Sequence, residues 1–194
     1  MGKLSNLRSL TSFFVGNERG FLLAELGGMR LREDLEMKNL GRVKSVKDAM
    51  EANMSSKRLK ELRLSWDRNE ETKLGEKAEE ILEVLQPDIQ QLVSLTVTGY
   101  TGGRFPRWLF SGSLKKLQIE RCKELKGFHE SLESMTGLHS LRLCDLPNNQ
   151  LLKRLERLDI YACPALEELI CHSSTVLPLC EIRVDGRLSY FRQG

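Results

Sequence analysis

Apolar and polar positions follow a fixed template from Leu114 to Phe128. In LKKLQIERCKELKGF, apolar residues or Cys occupy positions 1, 4, 6, 9, 12 and 15. The same six positions are filled again from Leu155 to Leu169, without a slip in their spacing. An amphipathic helix repeats its apolar residues every three to four positions and a strand every two, so neither alone gives this spacing. The pattern indicates a repeat of one short strand followed by a return segment.

The spacing is the L-x-x-L-x-L-x-x-N/C-x-L pattern of a leucine-rich repeat. Strand cores start at positions 7, 32, 59, 92, 114, 138, 155 and 179, with successive differences of 25, 27, 33, 22, 24, 17 and 24. The two earliest, Leu7-Leu10 and Leu35-Met37, are weaker versions. We predict an α/β leucine-rich repeat solenoid over residues 1–185, with a parallel strand sheet on the concave face and helices or irregular segments on the convex face.

The longest step, from Leu59 to Leu92, contains an insertion from Asp67 to Gln91 with a helical pattern. Apolar residues recur there at helical spacing up to Leu85, and Pro87 stops the run, which predicts a convex-side helix at about residues 72–86. A second helix is predicted from Val46 to about Ser56. Ser45 and Asp48 are spaced as its capping box, and the residues expected to face inward are Val46, Ala49, Met50 and Met54.

The shortest step, from Leu138 to Leu155, is too short for a full repeat. We interpret residues 144–154, approximately, as a shortened repeat, formed by a deletion or by a joint between segments that were once farther apart. Residues 186–194 carry no repeat pattern and are predicted to fray. The chain opens directly on repeat-like sequence without a polar cap, and we expect from this that further sequence once preceded Met1.

Composition excludes several classes of function. Acidic and basic residues are interspersed and the net charge is +3, so the electrostatic footprint of a nucleic-acid binder is absent. No stretch approaches the roughly 20 apolar residues of a membrane span, and no signal peptide is present. The five cysteines include no C-x-x-C pair, which fits a reducing compartment. We therefore expect a cytoplasmic protein.

Residues that would support catalysis or metal binding lack the required context. His129, His139 and His172 are outside any H-E-x-x-H motif, and no serine lies in a G-x-S-x-G elbow. Cys171 is next to His172, but no spacing supports a tetrahedral metal site. We expect Glu79 and Glu80 to be solvated on a charged helix face, and Trp66 and Trp108 to pack in the core or at its rim. An enzyme is not expected.

Several motifs in a fixed order resemble one known family. They are MGKLSNLRSLTSFFVG at the start, AMEANMSSKRLKELRLSW from Ala49 to Trp66, EEILEVLQP from Glu79 to Pro87, LTVTGY from Leu95 to Tyr100 and FPRWL from Phe105 to Leu109. Together they resemble the leucine-rich repeat region of plant disease resistance proteins of the coiled-coil, nucleotide-binding, leucine-rich repeat class. The resemblance covers about residues 1 to 170.

This resemblance implies part of an intracellular immune receptor. In that family a nucleotide-binding domain switches between ADP and ATP states, and the repeats restrain the switch and help to sense pathogen effectors. The chain has no G-x-x-x-x-G-K-[ST] phosphate loop, because GNERG from Gly16 to Gly20 lacks its length and lysine. The implied partners are a pathogen effector or guarded host protein, and the nucleotide-binding domain of the parent receptor. No cofactor is expected in this chain, since ADP or ATP belongs to that absent domain.

Side chains between and after the strand leucines are predicted to point to the concave face. Their polar, mixed-charge composition suits a protein-binding surface, although solvated strand positions would look the same. The candidate protein-binding residues are Glu61, Arg63, Ser65, Thr96, Thr98, Lys116, Gln118, Glu120, Arg142, Arg157, Asp159, Tyr161 and Arg183. Ser94, Ser140, Cys144, Glu181 and Asp185 belong to the same stripe.

Two alternatives to a receptor module remain open at this point. In the first alternative, the chain is a truncated receptor fragment that either has no independent activity or acts as a decoy and binds what the receptor binds. A less favoured alternative is a substrate adaptor of the ubiquitin system, which would require an adaptor-binding helical motif before the repeats. No such motif is visible.

Overall fold

Eight short strands lie side by side in parallel, in the order of the chain, and a ninth pairs antiparallel with the eighth. The computed structural model describes residues 8–66, 75–110, 114–126, 138, 140–144, 157–161, 181–184 and 187–189. The strands within these ranges are β1 Ser12–Phe14, β2 Arg32–Lys38, β3 Arg58–Ser65, β4 Ser94–Thr98, β5 Lys116–Glu120, β6 Ser140–Cys144, β7 Arg157–Tyr161, β8 Glu181–Val184 and β9 Arg187–Ser189. The predicted leucine-rich repeat sheet is confirmed.

Neighbouring strands pair without a register shift from β3 to β8, and β2 joins the same register after a shift between Glu33 and Asp34. The paired residues are Leu35 with Leu62, Leu62 with Leu95, Leu95 with Leu117, Leu117 with Leu141, Leu141 with Leu158 and Leu158 with Ile182. The residue numbers of each pair differ by the step that the leucine spacing predicts. The shortest step leaves residues 145–156, outside the described ranges, to join β6 to β7. Twelve residues are about the minimum for a parallel crossover.

The first strand is shifted by one residue from its predicted position. A core that started at Leu7 would place Ser12 at the buried position that Leu64 occupies in β3. Instead Phe13 pairs with Met37 and is only 9% exposed. Because strand side chains alternate between faces, this one-residue shift buries a phenyl ring in place of a hydroxyl group. The predicted start was wrong, and the first step is one residue shorter than the sequence pattern suggests.

The strand leucines form one continuous core with the return segments. From β3 to β6 the template residues are 5% exposed or less: Leu59, Leu62, Leu64, Leu92, Leu95, Val97, Leu114, Leu117, Ile119, Leu138 and Leu141. Burying each such side chain contributes roughly 1.5–3 kcal/mol. Since each repeat covers the leucines of its neighbours, stability is shared along the array.

The insertion in the longest step forms helix α2, Gly75–Val84. Its apolar face, Ala78, Ile81 and Leu82, is buried as the sequence predicts, and so is Leu85 just beyond its end. The next repeat is fastened to this helix, because the Trp108 indole donates a hydrogen bond to the Leu82 carbonyl at 3.1 Å. The predicted residues 72–74 lie outside the described ranges.

Helix α1, Val46–Glu51, begins at the predicted cap but ends before the predicted Ser56, and a separate 3₁₀ helix covers Met54–Ser56. The Ser45 hydroxyl accepts a hydrogen bond from the Asp48 backbone N–H at 3.1 Å. The Asp48 carboxylate accepts from the Ala24 N–H at 3.0 Å, and so ties α1 to the preceding repeat. Met50 was predicted to face inward, and this is wrong: it is 61% exposed. The helix buries Ala49, and a residue one position further on lies about 100° around the axis.

The end of the chain contains a strand where fraying was predicted. β9 pairs with β8 through Val184 and Arg187, so the prediction was wrong for Arg187–Ser189. The returning strand gives hydrogen-bond partners to one edge of β8. Between them the sequence reads Asp-Gly, a dipeptide that favours tight hairpins. This dipeptide is therefore a sequence signal for the returning strand.

Candidate protein-binding face

The predicted binding residues lie in three rows that cross the sheet. The middle row runs through Arg63, Thr96, Gln118, Arg142, Asp159 and Arg183. The row at the start of the strands runs through Glu61, Ser94, Lys116, Ser140, Arg157 and Glu181, and the third through Ser65, Thr98, Glu120, Cys144 and Tyr161. The structure therefore brings all thirteen candidates together. Their role in binding stays a prediction.

Strand alternation explains why these residues share a face. In β3 to β5 the leucine positions are buried, whereas the residues between them are exposed or half-buried. Among the candidate cations whose exposure the structure describes, Arg63 and Lys116 are exposed and Arg142 is half-buried. For Arg157, Asp159, Tyr161 and Arg183 the structure gives the Cα register alone. The face thus presents regularly spaced polar side chains, and the leucines between them are buried on the other side of the sheet.

Polar groups on this face pair with their neighbours. Arg63 forms an ion pair with Glu61 at 3.0 Å, and the Gln118 amide donates to the Glu120 carboxylate at 2.6 Å. Such exposed pairs add little stability, about 0–1 kcal/mol, but they hold side chains in defined positions. A partner would meet a surface whose charges are already arranged.

The rows continue into β1 and β2, which the sequence pattern did not predict. Glu36 pairs in register with Arg63 on one side and Ser12 on the other. Its carboxylate accepts a hydrogen bond from Ser12 at 2.9 Å and forms an ion pair with Lys38 at 3.1 Å. Burial raises the pKa of Glu36, but these hydrogen bonds and the charges of Lys38 and Arg63 outweigh it and lower the pKa. Glu36 is thus held as an anion within the face.

An exposed aromatic residue stands at the first strand of the face. Phe14 pairs in register with Lys38 and is 51% exposed. The Lys38 ammonium lies 5.2 Å from the centre of the phenyl ring, a cation–π distance. Aromatic anchors of this kind often dominate the binding energy of protein interfaces. The sequence did not indicate a role for Phe14, because the repeat pattern around β1 is weak.

The convex-side residues mostly behave as predicted, with one correction. Trp66 and Trp108 are buried, and Trp66 packs edge-on against Tyr100 with ring centres 5.0 Å apart. Glu79, however, is more than a solvated carboxylate, because it accepts hydrogen bonds from the backbone N–H groups of Gly103 and Arg104. Spacing along a helix cannot reveal a partner in the following repeat. Glu80 is exposed, as expected.

The part of the chain that the structure describes offers no metal-binding cluster of three or more His, Cys, Asp or Glu residues. The three histidines and Cys171 lie outside it. Burial raises the pKa of the Cys122 thiol to about 12, which makes it a poor nucleophile at neutral pH. No helix among the described residues is long and apolar enough to cross a membrane.

The fold and its repeat pattern define a leucine-rich repeat protein, and comparison with known proteins gives the family. Residues 23–148 match the R13L1/DRL21 LRRs, so the chain belongs to this family. It is 31% identical to disease resistance protein RGA2 of Solanum bulbocastanum, over 92% of this chain and 22% of that protein. It is 36% identical to the putative disease resistance protein RGA1 of the same species, over 71% of this chain and 15% of that protein.

A relative from another plant agrees with this assignment. The putative disease resistance RPP13-like protein 1 of Arabidopsis thaliana is 33% identical, over 68% of this chain and 13% of its own length. The chain thus spans about a fifth or less of these relatives. No solved structure matches it. The resemblance to the leucine-rich repeat region of nucleotide-binding resistance proteins is confirmed, and the chain is a defence-related repeat module. The ubiquitin-adaptor alternative receives no support from these relatives.

Proposed function

We propose that this chain is the protein-recognition module of an intracellular plant immune receptor, and that the three rows are its contact surface. Its partners are a pathogen effector or a guarded host protein, and the nucleotide-binding domain of the parent receptor, which the repeats restrain. The observation that carries the proposal is the unbroken register of polar residues from β3 to β8.

The dimensions of this surface suit a protein partner. Six strands separated by about 4.8 Å span roughly 24 Å across the sheet. One side of a standard protein interface covers about 800 Å², which corresponds to a similar width. Because the side chains stand on paired strands rather than on loops, little backbone conformational entropy is lost when a partner binds. Mixed charge favours specificity over indiscriminate adhesion.

The proposed mechanism uses contact rather than chemistry. The module acts in the cytoplasm without a cofactor of its own. ADP or ATP binds in the nucleotide-binding domain of the parent receptor, and the repeats alter that switch by binding its two states with different affinity. A partner that competes for the same rows would then release the restraint.

A charge reversal tests the surface. Lys116→Glu changes an exposed residue within the rows, and Lys115→Glu makes the same change one position earlier, outside them. Tagged chains are used to recover partners from leaf tissue with and without infection. We expect proteins that bind the wild type and Lys115→Glu chains but are lost with Lys116→Glu. Equal recovery with all three chains would argue against the face.

The restraining role needs a separate experiment. A nucleotide-binding segment of a related resistance protein that triggers cell death in leaves is expressed with or without this chain. We expect the wild-type chain and Lys115→Glu to reduce cell death, and Lys116→Glu to reduce it less. If the wild-type chain does not affect cell death at equal protein levels, the restraining role is wrong. The proposed recognition of a partner protein would not be affected by that result.

A further inference from the structure

A cleft of about 430 Å³ opens between two successive repeats, where their return segments enter β2 and β3. One wall is formed by residues 27–32, which end at the first residue of β2, and the other by Asn53, Ser56 and Arg58, the last of which is the first residue of β3. The polar side chains that line it are Arg30, Arg32, Arg58, Asn53 and Ser56. We call this the arginine cleft. Its volume lies within the range of small-molecule binding sites, about 300–1,000 Å³.

The positive charges of the arginine cleft are not neutralised within the described residues. Arg32 and Arg58 are direct Cα partners across β2 and β3, where like charges destabilise a sheet. Neither they nor Arg30 make a side-chain hydrogen bond or ion pair with another described residue. The carboxylate next to Arg32 in sequence, Glu33, is engaged by Lys60 at 2.8 Å.

A β-bulge accompanies this separation of charges. The register shifts between Glu33 and Asp34, and Glu33 has a φ of 71°, an unusual backbone conformation for a residue with a side chain. Bulges redirect side chains and recur beside functional sites. Here the bulged segment places Glu33 against Lys60 while Arg32 lines the cleft.

A buried lysine joins the two walls of the arginine cleft. Lys57 is 0% exposed, and its ammonium donates hydrogen bonds to the Met29 carbonyl at 3.1 Å and the Asn53 carbonyl at 3.3 Å. Met29 and Asn53 themselves line the cleft, one on each wall. The lysine therefore links the two walls through hydrogen bonds to a backbone carbonyl on each.

We propose that the arginine cleft binds a soluble, small organic molecule that carries at least two phosphate groups. A guanidinium group binds a phosphate through two parallel hydrogen bonds, and three such groups exceed what one phosphate monoester dianion can neutralise. The Asn53 amide and Ser56 hydroxyl supply further polar contacts at the rim. None of the residues that line the arginine cleft belongs to the three rows, so the proposal does not depend on the proposed protein-binding face.

Tripolyphosphate is a suitable probe for the arginine cleft in the full chain. At constant ionic strength we expect it to raise the melting temperature saturably and to bind by calorimetry, whereas orthophosphate and citrate bind at least tenfold more weakly. Arg58→Gln should weaken tripolyphosphate binding at least tenfold. Arg107→Gln removes an exposed arginine far from the cleft and should leave binding unchanged.

Several outcomes would overturn the proposal. They are an absence of saturable binding, equal binding by the wild type and Arg58→Gln, or an equal effect of citrate. If Arg58→Gln fails to fold, Arg30→Gln, in the return segment, takes its place. An octaglutamate peptide that binds as tightly as tripolyphosphate would assign the cleft to an acidic protein segment instead. Arg58-dependent sedimentation with vesicles that contain phosphoinositides would assign it to a lipid headgroup.

Discussion

The Glu79 carboxylate lies 2.8 Å from the backbone nitrogen of Gly103 and accepts its hydrogen bond. The next backbone N–H, that of Arg104, donates to the same oxygen at 3.1 Å. One helix side chain thus satisfies two backbone donors in the return segment of the following repeat. The inserted helix α2 is joined to the array by specific polar contacts as well as by its apolar face.

This contact predicts a cost for shortening Glu79. Glu79→Ala leaves two backbone donors without their acceptor and should lower the free energy of unfolding by about 1–3 kcal/mol. Glu79→Gln keeps one acceptor oxygen and should cost less. Glu80→Ala, on the exposed side of the same helix, should stay within about 0.5 kcal/mol of the wild type. Urea unfolding measures all three, and equal effects of the two alanine variants would contradict the contact.

Gly99 predicts a steric effect at the end of β4. Its φ is +67°, and an added Cβ would lie 2.8 Å from the Trp66 carbonyl oxygen. Gly99→Ala should therefore destabilise the protein by about 2 kcal/mol or more, from the left-handed conformation and the clash together. Gly28→Ala is the matched control, because a Cβ there meets nothing within 4 Å. Thermal unfolding that ranks the two variants equally would contradict this backbone geometry.

Burial lowers the pKa of Lys57 from its ordinary 10.5 to about 8. Below pH 8 the lysine is protonated in both folded and unfolded chains, so its contribution does not change with pH. Between about pH 8 and 10.5 the unfolded chain binds more protons, and stability rises with pH by up to about 1.4 kcal/mol per unit. The Lys57→Met variant should lack this rise.

The comparison must be made at each pH, because the raised pKa of Cys122 acts in the opposite direction above its ordinary value. We expect the difference in unfolding free energy between the wild type and Lys57→Met to move in favour of the wild type from pH 8 to 10. A difference that stays constant across that range would show that burial does not lower the pKa of Lys57.

Leu117 tests the repeat register itself. Leu117→Asp would place an unpaired carboxylate in the core between β4 and β6 and should abolish cooperative folding, since the cost of several kcal/mol approaches the stability of a domain. Lys115→Asp introduces the same side chain at an exposed position two residues earlier and should fold normally. Circular dichroism melts distinguish the two, and an unchanged melt of Leu117→Asp would contradict the register.

The register could be predicted because one interaction controls it. Leucines at fixed offsets must be buried against those of the next repeat, so their spacing alone locates β2 to β8. β1 was displaced because its apolar residues offer two registers, and packing chooses Phe13 over Ser12. Local pattern cannot make that choice.

The arginine cleft could not be predicted from the sequence. Arg32 and Arg58 are far apart along the chain and meet only because the coil completes one turn between them. The burial of Lys57 likewise depends on the Met29 carbonyl of the preceding repeat. A lysine in a polar return segment gives no sign of such an environment. These features arise from stacking, which sequence spacing describes only for the leucines.

The strands stay aligned although the shortest step, from Leu141 to Leu158, is only about half as long as the step from Leu62 to Leu95. Insertions and deletions in the return segments therefore leave the three rows aligned. In evolutionary terms the molecule separates two kinds of change. The return segments can change in length, while point substitutions change the residues of the three rows one at a time. Under the proposed recognition role, such substitutions would change specificity on this scaffold without the need for a new fold.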